Sequence, residues 1–119
     1  MKIKLKYIFL ENDFPVLFSC TDDYNNDYLG CYSAVEDNHL KFTISKVSPL
    51  TILKVLKNEM FLYDAFKNSQ LNYIYTLREN TEVEIVHQVE DKYLPCKNEY
   101  LDAKKDEYSA EINYYKSKL

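Results

Sequence analysis

The sequence predicts an α+β fold: an antiparallel sheet of about six strands, two helices after the fourth strand, and a last helix at the C-terminus. Three observations predict it. Apolar residues recur at period two in residues 3–9, 40–44, 71–77 and 83–85, which is strand spacing. The first four strands, residues 2–10, 14–20, 28–35 and 39–45, are separated by polar turns, so neighbouring strands pair antiparallel. The period lengthens after Ser48-Pro49 and again after Asp102. Strands in runs, with helices gathered between and after them, define the α+β class.

Residues 2–10 open with Ile3, Leu5, Tyr7 and Phe9 on one side and Lys2, Lys4 and Lys6 on the other, the pattern of a half-buried strand. Glu11-Asn12-Asp13 turns the chain into a second strand, residues 14–20, where Pro15 is tolerated at a start or edge. Residues 21–27 form a polar loop whose side chains bond their own backbone. A third strand covers residues 28–35. After the turn Glu36-Asp37-Asn38, a fourth covers 39–45, with Leu40, Phe42 and Ile44 on one face. These four form a meander. Ser48 is a helix cap and Pro49 a first-turn residue; the helix runs to about Asn58 with Leu50, Ile52, Leu53 and Leu56 along its stripe.

A second helix covers 62–67, with Leu62, Ala65 and Phe66 inward. Residues 71–77 and 82–89 read as a hairpin around Arg78-Glu79-Asn80-Thr81, and 90–101 as irregular chain around Pro95. Asp102 is expected to cap an amphipathic helix over 102–119, with Tyr108, Ile112, Tyr115 and Leu119 on its stripe. Phe18, Leu40, Phe42, Leu53 and Phe66 are the expected core, where sheet and helices meet.

At 119 residues the chain is read as one domain, 1–119. Fifteen basic and 19 acidic residues give a net charge of -4, without the basic excess of a duplex-DNA binder. Gly30 is the only glycine, which excludes Walker-type, dinucleotide-type and kinase-type phosphate loops. No apolar run reaches the roughly 18 residues of a membrane span. Three cysteines without a C-x-x-C pair or a leader read as reduced thiols in the cytoplasm. The 12 tyrosines follow either from A/T-rich codons or from a contact surface for a protein or a single strand of nucleic acid.

Each candidate chemistry meets a simpler explanation. Asp23, Asn25 and Asp27 have the opening spacing of a calcium loop, but Tyr28 and Ala34 stand where Gly and Glu are needed. His39 and His87 lack the spacing of zinc-ligand pairs. Cys20 with either histidine makes a nucleophile and base only if the fold joins them; Cys20 and Cys31 read as buried residues, and Cys96 as an exposed one. The pairs Glu36/Asp37, Glu82/Glu84 and Glu90/Asp91 read as solvated. Lys2, Lys4 and Lys6, joined by Lys41 if the first and fourth strands are close, are either edge protection or a docking strip.

Four segments resemble a family of small bacterial domains of unknown function: Phe14-Pro15-Val16-Leu17-Phe18-Ser19-Cys20; Tyr28-Leu29; Leu62-Tyr63-Asp64-Ala65-Phe66; and Leu94-Pro95 followed by Glu99-Tyr100-Leu101-Asp102-Ala103 and Glu107-Tyr108. The resemblance spans roughly residues 7–115 and implies no catalytic residue.

The sequence therefore predicts a non-enzymatic module that binds a protein partner, in the manner of a bacterial or phage regulator, an inhibitor, or an immunity or antitoxin protein. No catalytic residue, metal or cofactor is expected, and no membrane. The expected contact residues are Lys2, Lys4, Lys6, Tyr114, Tyr115 and Leu119, the last three serving a partner or a second copy in a homodimer. A nucleic-acid-associated protein using the three lysines and the tyrosines is the alternative.

Overall fold

A computed structural model of the chain describes residues 2–69, 71–77, 82–86 and 89–119, with the backbone alone at residues 77 and 82–86. Strands β1 (Ile3–Glu11), β2 (Pro15–Asp22), β3 (Asp27–Glu36) and β4 (His39–Lys46) form the meander. Helices α1 (Pro49–Leu56) and α2 (Leu62–Lys67) follow, then β5 (Asn72–Leu77), which lies antiparallel beside β4. The backbone of Glu82–Val86, β6, pairs antiparallel along β5. A single 3-10 turn at Asp91–Tyr93 precedes α3 (Ser109–Ser117). The fold is α+β, with an antiparallel sheet and a C-terminal helix. The hairpin loop read at 78–81, together with His87, lies outside the described residues.

The caps follow from local chemistry. Ser48 accepts a hydrogen bond from the Thr51 amide at 3.2 Å and Pro49 opens α1. Asp37 and Asn38 both have positive φ, so the β3–β4 hairpin turns through two residues suited to that geometry. Among the described residues eight non-glycine residues have positive φ, and all are Asn or Asp. The one glycine serves a different need. Gly30 lies under the Phe18 ring, where a Cβ would stand 2.3 Å from a ring carbon.

The sheet has a core on each face. On one, Phe9, Leu17, Leu29 and Cys31 pack against Ile52, Leu53, Val55, Leu56, Leu62, Ala65, Phe66, Tyr108 and Tyr115 from the helices and their flanks. On the other, Phe18, Cys20, Tyr28, Phe42, Ile44 and Tyr73 pack with Ile3, Phe14, Tyr32, Leu40 and Tyr75, and none of these comes from a helix. The expected core therefore divides. Leu53 and Phe66 lie among the helices, Phe18 and Phe42 on the opposite face, and Leu40 is half-buried there. The helices cover the Thr43 and Ser45 side of β4, because Thr43 is opposite Cys31 and Ser45 opposite Leu29.

Three further expectations are corrected. The alternation of β1 does not continue: register shifts between Leu5 and Tyr7, so Lys6 is a bulge. Ile3 and Leu5 stay on the helix-free face, whereas Tyr7 and Phe9 pass to the helix face. Leu50 of α1 is exposed, not inward. The C-terminal helix does not span 102–119; Asp102 and Asp106 both have positive φ, incompatible with a continuous helix, and α3 starts at Ser109. Chain before it is anchored instead by Asn58, whose side chain accepts from the Ala103 amide at 2.9 Å and donates to its carbonyl at 3.0 Å.

Candidate interaction surface

The helix-free face is apolar and curled. Ile3 and Leu5 of β1 and Tyr75 of β5 line one cavity with Pro15, Phe18, Cys20, Phe42 and Ile44. Three strands separate β1 from β5, so in a flat sheet they stand roughly 19 Å apart. A shared cavity of ≈ 210 Å³ requires the sheet to wrap around it. Two of its lining rings, Phe18 and Phe42, stand edge to face at 5.7 Å between ring centres, and Tyr32 packs against Phe42 at 6.1 Å. Leu5 in its lining is 52% exposed, and Ile8 farther along β1 is 39% exposed.

The same strand carries the three lysines. Lys2, Lys4 and Lys6 are exposed, and among the described residues none of them forms an ion pair. Lys4 is opposite Thr21, on the helix side of the sheet. Lys6 Nζ lies 4.4 Å from the centre of the Tyr114 ring of α3. The lysines thus stand on the helix side, not opposite the main core as the alternation suggested. Lys41 does not join them: β2 and β3 separate its strand from β1, and its Nζ is 3.0 Å from Glu36. β1 is the first strand of the sheet, with β2 on one side and nothing paired on the other among the described residues.

Of the three expected contacts at the C-terminal end, one is corrected. Tyr115 is 0% exposed, and its hydroxyl donates to Ser19 Oγ at 2.6 Å. Tyr114 is half-buried, edge-on to Tyr7 at 5.6 Å and to Tyr115 at 5.0 Å. Leu119 is exposed as expected, at 70%. Helix α3 is committed to its own domain. Tyr108 donates to the Phe9 carbonyl at 2.7 Å, and Lys118 Nζ is 2.8 Å from the buried Asp27 carboxylate. Burial pulls the Lys118 pKa down, but its bond to Asp27 outweighs this and leaves it above the ordinary lysine value.

Several other candidates are engaged in structure. Asp22, not the calcium-type trio, organises the 22–27 loop. It accepts from the Tyr24 and Asn26 amides, the Asn26 side chain and the Tyr28 hydroxyl, all within 2.8–2.9 Å. Burial raises the Asp22 pKa, yet these bonds overcome it and hold the carboxyl well below the usual range. Asp27 of the trio is taken by Lys118. Among the described residues no three His, Cys, Asp or Glu side chains gather as metal ligands. Cys20 and His39 do not meet: Cys20 is level with Tyr28 and Lys46, and His39 starts the same strand as Lys46 roughly 23 Å away at strand spacing.

Burial pushes both the Cys20 and Cys31 thiols up to about 12. Glu36 accepts from the Tyr93 hydroxyl at 2.6 Å and from Lys41, which hold it below the ordinary value. Asp91 is held low in the same way by Lys67 and Tyr63. A cleft of ≈ 630 Å³ between α1 and α2 is lined by Lys46, Ser48, Thr51, Asp64, Asn68 and Ser69. Ser48 there caps α1, and Ser69 donates to the Lys46 carbonyl at 2.7 Å.

Sequence reasoning missed Leu5 and Ile8 as surface residues. The signal was present in the run Tyr7-Ile8-Phe9-Leu10, where four apolar residues interrupt the alternation. Compared with known proteins, the chain matches no family model, no curated protein and no solved structure. No described helix is long and apolar enough to cross a membrane.

Proposed function

We propose that this protein is a non-enzymatic module that binds a protein partner through the edge of β1 that is unpaired among the described residues and the apolar cavity beside it. The observation that carries this reading is one exposed strand with Leu5 and Ile8 on one side and Lys2, Lys4 and Lys6 on the other. The cavity volume supports a side chain as occupant, since small-molecule sites measure roughly 300–1,000 Å³. The non-enzymatic reading is supported by the burial of Cys20 and Cys31 and by the engagement of Glu36 and Asp91 with lysine and tyrosine partners. On this reading the sheet is six-stranded, with β1 and β6 as its edges. The setting is the cytoplasm, where the three free cysteines stay reduced. The nucleic-acid alternative is weaker: Tyr7 and Tyr114, the rings nearest the lysines, pack against each other and offer no free stacking platform.

The test is panning of an unbiased displayed-peptide library on the wild-type protein and on folded Leu5→Asp and Leu5→Ser variants. Binders that enrich on wild type and are lost on both variants support the surface. No enrichment, or binders indifferent to Leu5, overturns it.

A further inference from the structure

We infer that the partner segment adds to β1 as an extended strand in which acidic and apolar residues alternate. This rests on the reading of the β1 edge as the contact surface, and adds how the edge is engaged and by what chemistry. Side chains of a strand laid beside β1 alternate between the two sides of the sheet. Those on the helix-free side run beside Ile3 and Leu5 and reach the mouth of the cavity that both line. Those on the other side run beside Lys4, with Lys2 and Lys6 flanking it. An apolar residue suits the first position and a carboxylate the second, so the complement is a period-two pattern of Asp or Glu with Leu, Ile, Val or Phe.

The charge of the edge also decides against the simplest self-association. Two copies joined β1 to β1 bring lysine rows together, and like charges directly across a ladder are destabilising. An acidic partner both neutralises the row and is steered toward it. The bulge at Lys6 limits the length of the match: beyond Leu5 the register shifts and the apolar side passes to Ile8. The segment is therefore short, with its main anchor beside Leu5.

The experiment titrates three short capped peptides into the full chain. One alternates Glu with Leu; one has the same composition with acidic and apolar residues in separate blocks; one alternates Lys with Leu. The alternating acidic peptide is expected to bind at least about tenfold tighter than the other two, and to weaken as salt rises. It should raise hydrogen-exchange protection of the β1 amides at residues 3–5. The triple variant K2E/K4E/K6E should reverse the preference, favouring the Lys–Leu peptide. Because these lysines are exposed, its melting temperature serves as the folding control. Equal binding of alternating and blocked peptides, retained preference in the triple variant, or absence of binding overturns the inference. If Leu5-dependent binders emerge from the library but carry no alternation, strand addition fails while the contact surface stands. If no Leu5-dependent binder emerges either, both fail.

Discussion

The two faces of the sheet bury their residues to a similar degree by different means. The helix face mixes aliphatic residues with small hydroxyls. Ser19 receives the Tyr115 hydroxyl, Ser33 Oγ donates to the Tyr93 carbonyl at 2.6 Å, and Ser45 bonds Asn72. The opposite face is nearly all aromatic and aliphatic and gains its burial from curvature and ring-on-ring packing. The difference teaches that the more apolar side of a strand is not the side its helices cover. The hydroxyls on the covered side are satisfied by a helix tyrosine, by the Tyr93 carbonyl of the 3-10 turn and by Asn72 of β5.

The strongest way to break this comparison is to remove a phenyl ring from each face. Phe66→Ala, among the helices, should cost about 3–5 kcal/mol in denaturant melts. Phe42→Ala should cost less, because the space it opens merges with a cavity that already reaches solvent. Equal losses would show that the helix-free face is as closed as the other. Gly30→Ala should cost about 1–3 kcal/mol by overpacking, since the new methyl displaces the Phe18 ring. Phe18→Leu in the same chain should recover part of it; a neutral Gly30→Ala would mean the ring moves freely.

On the helix face, Tyr115→Phe should cost about 1–3 kcal/mol, because it strands the buried Ser19 hydroxyl. Adding Ser19→Ala should then cost little more, a non-additivity measured by a double-mutant cycle. The smallest expected effect is acid sensitivity at the Asp22 loop. The carboxyl's pKa is depressed in the fold, so its contribution is fully present above its unfolded value of about 4 and is lost as pH falls below that. Melts of Asp22→Asn between neutral and acid pH should fall less steeply than wild type. A parallel decline would remove Asp22 from the acid response.

The class, the meander and α1 were legible because each rests on local chemistry: tight polar turns, period two, and the Ser48-Pro49 cap. Which face the helices cover was not, since Thr43 and Ser45 look solvent-facing until Cys31 and Leu29 are seen opposite them. The shift of Tyr7 to the helix face depends on a bulge that only the pairing with β2 defines. The late start of α3 depends on Asp102 and Asp106 in a left-handed conformation, although Asp is also a favoured helix cap. The candidate surface was half legible. The lysine row was read, but its apolar companions Leu5 and Ile8 were placed inside or passed over. Tyr115 was read as available because its hydroxyl suggests water, whereas Ser19 of β2 meets it inside the fold.

The eight left-handed Asn and Asp residues have a consequence in the denatured chain. Bends elsewhere assigned to glycine are made here by side chains that narrow backbone freedom before folding begins. Each such bend surrenders less conformational entropy on folding than glycine does, in exchange for modest local strain in the native turn. Asn38→Gly should thus relax the hairpin while loosening the denatured ensemble, and the two effects oppose each other. A chain with one glycine, placed under a phenyl ring and not at a bend, enters folding with its corners already biased.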